Sequence, residues 1–168
     1  MTTQTIDIRR AEPRDAAAIA GVHNAAWTGA YAGVIPHRAL GAMLARRGEP
    51  WWTGAIRRAT SILVVECGGR VVGYATYGRN RVRELPQKGE IYELYVEPEY
   101  QGIGLGSRLF AAVRRELAAH ELDGLVVWAL EDNAGALSFY TGLGGRDFAE
   151  GVEIFDAKAL KKIAFIWN

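Results

Sequence analysis

The clearest chemical pattern in this sequence is a glycine-rich turn between an apolar run, residues 91–96, and an amphipathic helical pattern. The turn consists of Gln101, Gly102, Ile103, Gly104, Leu105, Gly106 and Ser107. Glycines at a helix start leave backbone N–H groups unpaired and uncovered by side chains, and the positive end of the helix dipole adds to their attraction for anions. The pattern therefore predicts a site for a phosphate or pyrophosphate group.

Two familiar phosphate-binding motifs do not fit this turn. A dinucleotide-binding motif needs a third glycine three places after Gly104, where the chain has Ser107, and an acidic residue at the end of the next strand. A P-loop ends in Gly-Lys-Ser or Gly-Lys-Thr, whereas Gly106 is followed by Ser107 and Arg108. Glycines that only turn the chain are a third interpretation. The order Gln-x-x-Gly-x-Gly, carried by Gln101, Gly104 and Gly106, resembles the coenzyme A loop of the GNAT superfamily of N-acetyltransferases.

A second segment strengthens this resemblance. After the strand-like run of residues 125–130, the sequence has Asn133 and, seven positions later, Tyr140. Seven residues make two helical turns, so both side chains share a helix face. In the GNAT family the corresponding helix begins with Asn and carries a Tyr. The resemblance covers about residues 90–145 and departs from the family pattern at Gly145, where an aromatic residue often stands.

The resemblance implies acetyl-CoA as the acetyl donor. It places the pyrophosphate on the N–H groups of the loop and pairs the pantetheine arm with the strand at Leu94, Tyr95 and Val96. Asn133 would either bind the cofactor or cap its helix. Tyr140 would be the general acid, because a phenol is protonated at neutral pH and can donate to a departing thiolate. Packing in the core is the alternative role for Tyr140.

The general base is predicted to be Glu90, because some members of the family carry a glutamate at the matching point and use it through a water molecule. Regular alternation puts Glu90 on the same face of its strand as Tyr92 and Leu94, and Glu93 on the opposite face. Glu93 is the second candidate. A solvated glutamate at a strand start is the alternative for Glu90.

Aromatic residues near the N terminus are candidates for acceptor binding. His23, Trp27 and Tyr31 are spaced by four and share a helix face. Trp27 and Tyr31 would form the wall of a pocket beside the thioester, although burial against a sheet is the commoner role of such a stripe. Trp51 and Trp52 fit a core, a lid or a dimer contact equally well.

Hydrophobic periodicity predicts the elements that position these residues. Their order is β-αα-βββ-α-β-α-ββ, which indicates an α/β (α+β mixed) fold with helices on both faces of a mixed sheet. The resemblance implies a GNAT-like twisted, mostly antiparallel sheet of about six to seven strands flanked by helices. Residues 50–58 are compatible with a further helix, and Gly68-Gly69 with a hairpin turn. This order is the one expected of a GNAT fold, formed by residues 1–168 as a single N-acetyltransferase domain.

The composition is typical of a soluble enzyme. Hydrophobic residues make up 49% and charged residues 23%, close to globular averages. The net charge of +1 argues against a nucleic-acid partner, and no apolar run reaches the roughly 18 residues of a membrane span. A single cysteine and an N terminus without the apolar segment of a signal peptide favour the cytoplasm.

The function predicted from the resemblance is metal-independent transfer of an acetyl group from acetyl-CoA to a primary amine of a small molecule or protein, directly and within a ternary complex. Two other classes compete with it. One is a non-catalytic sensor that binds acyl-CoA, and the other is a nucleotide-binding oxidoreductase, against which Ser107 argues. An exposed edge strand near the C terminus is compatible with a homodimer.

Overall fold

A seven-stranded sheet with the order β1-β2-β3-β4-β5-β7-β6 forms the centre of the computed structural model, which describes residues 3–168. The strands are β1 (Ile6–Arg10), β2 (Ile62–Cys67), β3 (Arg70–Arg79), β4 (Gly89–Val96), β5 (Leu125–Leu130), β6 (Arg146–Phe155) and β7 (Lys158–Trp167). The helices are α1 (Ala16–Tyr31), α2 (His37–Arg46), α3 (Glu49–Arg57), α4 (Leu105–Ala119) and α5 (Ala134–Gly142). No helix among the described residues is long and apolar enough to cross a bilayer.

The predicted fold class is confirmed, with one additional helix. Three helices rather than two precede β2, because residues 50–58 contribute to α3. Pro50 lies in the first turn of α3, where its missing N–H costs no hydrogen bond. The predicted hairpin of β2 and β3 turns through Gly68 and Gly69, whose φ angles of 62° and 82° are accessible to glycine without strain.

Apolar residues cover both faces of the sheet. Helix α4 packs on one face through Leu105, Leu109 and Val113. Helices α1 and α3 pack on the other face, where Ile19 and Trp52 are fully buried. Strands covered on both faces have apolar side chains in both directions, which explains the continuous hydrophobic runs of β2 and β3.

Strands β4 and β5 are paired at one end alone. They are the parallel pair in this otherwise antiparallel sheet, and residues 89–91 pair with residues 125–127. Beyond Ile91 the two strands separate and form a gap, which we call the β4–β5 gap. The main-chain N–H and C=O groups along such a gap have no ladder partner and are free to bind another group.

A β-bulge in β4 overturns the predicted alternation of its side chains. The pairing of β4 with β3 is shifted so that Tyr92 is an extra residue between Ile91 and Glu93. Ile91 and Leu94 consequently both pack into the core on the α4 face, although regular alternation would place residues three apart on opposite faces. The prediction that Glu90 shares a face with Leu94 is therefore wrong, and Glu90 and Glu93 lie on the same face.

Candidate active site

A cleft of about 690 Å³ opens where β4 and β5 separate. Its walls are β4, the turn before α4, the C-terminal half of α1 and the first turns of α5. All of the predicted cofactor-binding residues line it except Ile103 and Leu105, and so does Tyr140; those lining it are Leu94, Tyr95, Val96, Gln101, Gly102, Gly104, Gly106, Ser107 and Asn133. Two sequence motifs separated by about thirty residues thus meet in one cavity.

The turn before α4 presents bare main chain to this cleft. Gly102 and Gly104 have φ angles of 79° and 87°, and the space beside each α-carbon is open to 4 Å. Gly104 is the residue that precedes the first turn of α4, and it has no side chain with which to cap the helix. The first N–H groups of α4 therefore lack an intrahelical or capping partner. A concave surface of free N–H groups at a helix start can bind a pyrophosphate.

The other residues of the turn hold its shape. The Gln101 side chain donates from Nε2 to the main-chain oxygen of Val96 at 2.9 Å, which ties the turn to the end of β4. Leu105 is buried in the core and Ile103 is exposed to solvent. The side chains of Ile103 and Leu105 therefore lie outside the cleft, and these two residues have only main-chain groups to offer a ligand.

A hydrogen-bonded network joins α5, α1 and β4 beside the cleft. Asn133 caps α5 by accepting the N–H of Ala136 at 3.1 Å, so the capping role predicted for it is observed. Its Nδ2 lies 3.4 Å from the Tyr31 hydroxyl, to which it donates. The Tyr31 hydroxyl is in turn 2.9 Å from the Tyr95 hydroxyl. Because capping fixes the Asn133 amide, this network holds the two phenols in place across the β4–β5 gap.

Tyr140 lies where the cleft meets a smaller cavity of about 40 Å³. It is 6% exposed, and its ring packs against Phe139, Phe165 and Trp167. Burial, together with the nearby Tyr31 phenol, raises the pKa of Tyr140 above its ordinary value. The phenol is therefore protonated at neutral pH and available as a proton donor.

The smaller cavity reaches the other face of β4. Besides Tyr140, its lining includes Tyr31, Tyr92, Glu93 and Trp128. We call it the small cavity. Because Tyr140 lines both cavities, groups bound in the cleft and in the small cavity would meet at this phenol.

Glu93 is held by two donors at the wall of the small cavity. One carboxylate oxygen accepts from Nη2 of Arg47 at 2.8 Å, and the other accepts from the hydroxyl of Tyr74 at 2.8 Å. The two donors fix the orientation of the carboxylate, which lies on the same cavity as Tyr140.

Glu90 lies outside both cavities. It is 2% exposed, and Arg81 donates to one of its oxygens from the main-chain N–H at 3.0 Å and to the other from Nη2 at 2.8 Å. A buried carboxylate with a partner on each oxygen stabilises the start of β4. The structure therefore brings Glu93, and not the predicted base Glu90, to the cavity that contains Tyr140.

Of the two aromatic residues predicted to bind the acceptor, one lines a cavity and the other lies behind it. Tyr31 lines the small cavity, whereas the Trp27 ring packs between His23, at 4.9 Å, and Tyr31, at 5.0 Å. Burial and the charge of Arg47 lower the pKa of His23 to about 4, so this imidazole is neutral at pH 7. Across residues 3–168, no group of three His, Cys, Asp or Glu side chains is placed to hold a metal ion.

Sequence reasoning missed the arginine that connects the N-terminal helices to this site. Arg47 follows α2 and contacts Glu93, which is 46 positions away in the sequence. Its guanidinium lies 3.9 Å from the ring centre of the half-exposed Trp51, and its main-chain oxygen accepts from Nε1 of the buried Trp52 at 3.0 Å. Trp52 therefore belongs to the core and Trp51 covers Arg47. A contact over such a separation leaves no local pattern in a sequence.

Comparison with known proteins identifies sequence relatives over most of the chain. Residues 24–144 match the model of the acetyltransferase (GNAT) family. YuaI, an N-acetyltransferase of Bacillus subtilis, is 27% identical over 96% of this chain and 92% of its own length. The mycothiol acetyltransferase of Streptomyces bingchenggensis is 32% identical over 71% of this chain, and the match spans 38% of that longer protein.

Solved structures share the fold at low sequence identity. The PaiA N-acetyltransferase of Thermoplasma acidophilum, solved with coenzyme A, superposes with a TM-score of 0.75 at 16% identity, over 94% of this chain and 98% of its own. YncA of Salmonella typhimurium, solved with acetyl-CoA, gives a TM-score of 0.70 at 24% identity, over 96% of this chain and 92% of its own.

Proposed function

The chain belongs to the acetyltransferase (GNAT) family, and from this premise we propose that it transfers the acetyl group of acetyl-CoA directly to a primary amine within a ternary complex. The amine belongs to a small molecule or a protein. The main support is the position of Tyr140 at the junction of two cavities, one bordered by the donor-rich turn and the other by Glu93. Two substrates bound side by side can react without a covalent intermediate on the enzyme.

The donor set of the larger cleft fits coenzyme A. Free N–H groups at the start of α4 suit its pyrophosphate. The main chain of β4 from Leu94 to Val96 has no ladder partner in β5, which suits an amide-bearing arm that adds as an extra strand. The complexes of PaiA with coenzyme A and of YncA with acetyl-CoA support the same ligand. When bound, acetyl-CoA supplies the activated thioester carbonyl.

Two side chains would move protons in the transfer. We assign the role of general base to Glu93 in place of Glu90, because it lines the small cavity together with Tyr140. As the C–N bond forms and the C–S bond breaks, Glu93 accepts the proton that the nitrogen loses, through a water molecule if needed. Tyr140 gives a proton to the sulfur, and exchange with solvent restores both residues.

Calorimetry and an amine panel test this function. Titration with acetyl-CoA and with coenzyme A is expected to show saturable binding of both. When acetyl-CoA is incubated with a panel of amines, the release of free coenzyme A thiol is expected to show that at least one class of amine is acetylated. Tight binding without any acetylation would indicate an acyl-CoA sensor, and the absence of binding would exclude both functions.

Substitution of Gly104 by Val tests the pyrophosphate site. A β-branched residue at a φ of 87° is strained by about 1–2 kcal/mol, and its side chain would stand beside the free N–H groups. We expect the Kd for acetyl-CoA to rise about tenfold or more, measured by calorimetry. Gly69→Val is the matched control, because Gly69 has a φ of 82° and open space at the β2–β3 turn, away from the cleft. Equal affinity of the two variants would count against the site.

A further inference from the structure

We propose that the acceptor carries a carboxylate close to its amine and that Arg81 and Arg47 bind this carboxylate beside the small cavity. The inference rests on the proposed function, because it assigns a class of acceptor to the same site.

Both arginines contact side chains that line the small cavity. Arg47 donates to Glu93, and the guanidinium of Arg81 lies 4.3 Å from the ring centre of Tyr92. Tyr92 and Glu93 are neighbours in the bulge of β4. Because this bulge turns Glu90 and Glu93 to the same face, each arginine contacts a carboxylate on that face.

Hydrogen-bond donors at this face outnumber free acceptors. Both oxygens of Glu90 and both oxygens of Glu93 already have donors. Arg81 uses Nε and Nη2 and leaves Nη1 unpaired within the described chain. Nη1 of Arg47 is buried and has no partner among residues 3–168.

A ligand that supplies acceptor oxygens would satisfy the unpaired N–H groups of these two arginines. A guanidinium carries five N–H donors, and an unpaired buried donor costs free energy that a ligand oxygen can recover. A carboxylate matches the planar fork of a guanidinium, because its two oxygens accept two parallel N–H bonds.

The exposed member of the ion pair between Arg81 and Glu90 is the cation. The side chain of Arg81 is 67% exposed, whereas that of its partner Glu90 is 2% exposed. The neighbouring carboxylate of Glu153 is paired with Lys162. The Nζ of Lys162 lies 4.8 Å from the ring centre of Trp128, which lines the small cavity. A carboxylate on the acceptor would therefore meet the unpaired N–H groups of Arg81.

Pairs of amines that differ only in a carboxylate test the inference without any substitution. Tyrosine is compared with tyramine, glutamate with 4-aminobutyrate, and spermidine serves as a polycation. We expect kcat/KM to be at least about tenfold higher for the amine that carries the carboxylate next to its nitrogen. If the preference is absent or reversed while some amine is acetylated, the inference is overturned and the proposed function stands. If no amine is acetylated, both are overturned.

Variants of Arg81 test whether this residue causes the preference for amines that carry a carboxylate. In Arg81→Gln the ratio of kcat/KM within each pair of amines is expected to fall about tenfold. The ratio is expected to fall less in Arg81→Lys, because lysine keeps the positive charge but lacks the planar guanidinium. The ratio is measured within one protein, so partial unfolding caused by the unpaired Glu90 does not alter it. Arg83→Gln, at an exposed arginine of the same loop, is the matched control and should keep the wild-type ratio. An unchanged ratio in Arg81→Gln overturns the inference.

Discussion

Substitution of Tyr140 by Phe is expected to lower kcat for acetyl transfer by about 10²–10³-fold while the affinity for coenzyme A stays close to that of the wild type. The change removes one hydroxyl group and keeps the ring that packs against Phe139, Phe165 and Trp167. Without a proton donor at the junction of the two cavities, the sulfur must leave as a thiolate. Steady-state kinetics with saturating acetyl-CoA, together with calorimetry, separates turnover from binding.

Tyr77→Phe is the control for this variant. Tyr77 is buried in the same core cluster as Tyr140 and lines neither cavity, so its hydroxyl has no role in the proposed chemistry. A similar loss of turnover in both variants would point to a packing defect. A Tyr140→Phe protein with wild-type kcat would remove Tyr140 from the mechanism.

The raised pKa of Tyr140 also predicts how its role depends on pH. The protonated phenol is the form that donates, and its pKa lies above the ordinary tyrosine value because of burial and the nearby Tyr31. The donor therefore remains active up to a pH above about 10, and it is lost only as the pH rises further. Because the phenol of the unfolded chain ionises near pH 10 while the buried phenol stays protonated, the folded state loses stability as the pH rises from about 10 toward the raised pKa. A loss of kcat between pH 7 and about 9 would have to come from another group.

The lining of the larger cleft could be predicted from the sequence, because the two motifs that form it are local. The glycine turn from Gln101 to Gly106 specifies its own backbone, and Asn133 and Tyr140 are placed by two turns of one helix. Both motifs can be recognised from neighbouring residues alone, without reference to a distant contact. Their meeting in one cavity follows from the parallel pairing of β4 and β5, which aligns the ends of these strands.

The other side of the site depends on long-range geometry that the sequence does not display. The bulge at Tyr92 arises from the register of β4 against β3. One extra residue is enough to put Glu90 and Leu94, which regular alternation assigns to one face, on opposite faces of the strand. Helical spacing placed Tyr31 on the same face of α1 as His23 and Trp27, but the contact of Tyr31 with Tyr95 depends on how α1 crosses β4. The hydrogen bond from Arg47 to Glu93 likewise depends on how the segment after α2 packs against β4.

Substitution of Glu93 by Gln is expected to lower kcat/KM for an amine acceptor by about 10²-fold at neutral pH. Glutamine keeps the shape of the side chain and one oxygen for Arg47 or Tyr74, but it cannot accept a proton from the attacking nitrogen. The measurement is the initial rate of thiol release at low amine concentration. Glu90→Gln is the comparison that separates the two candidates, since Glu90 lies outside both cavities. A larger loss in Glu90→Gln than in Glu93→Gln would reverse the assignment of the base.

The pH dependence of the Glu93→Gln defect distinguishes a lost base from a lost contact. An aliphatic amine with a pKa near 10 is almost entirely protonated at neutral pH and needs a base before it can attack the thioester. As the pH rises toward 10, solvent supplies the free amine, so the ratio of wild-type to variant kcat/KM should shrink. The defect of Tyr140→Phe should not shrink over this range, because the departing sulfur still lacks a donor. A Glu93→Gln defect that stays constant from pH 7 to about 10 would show that Glu93 positions the acceptor and does not remove its proton.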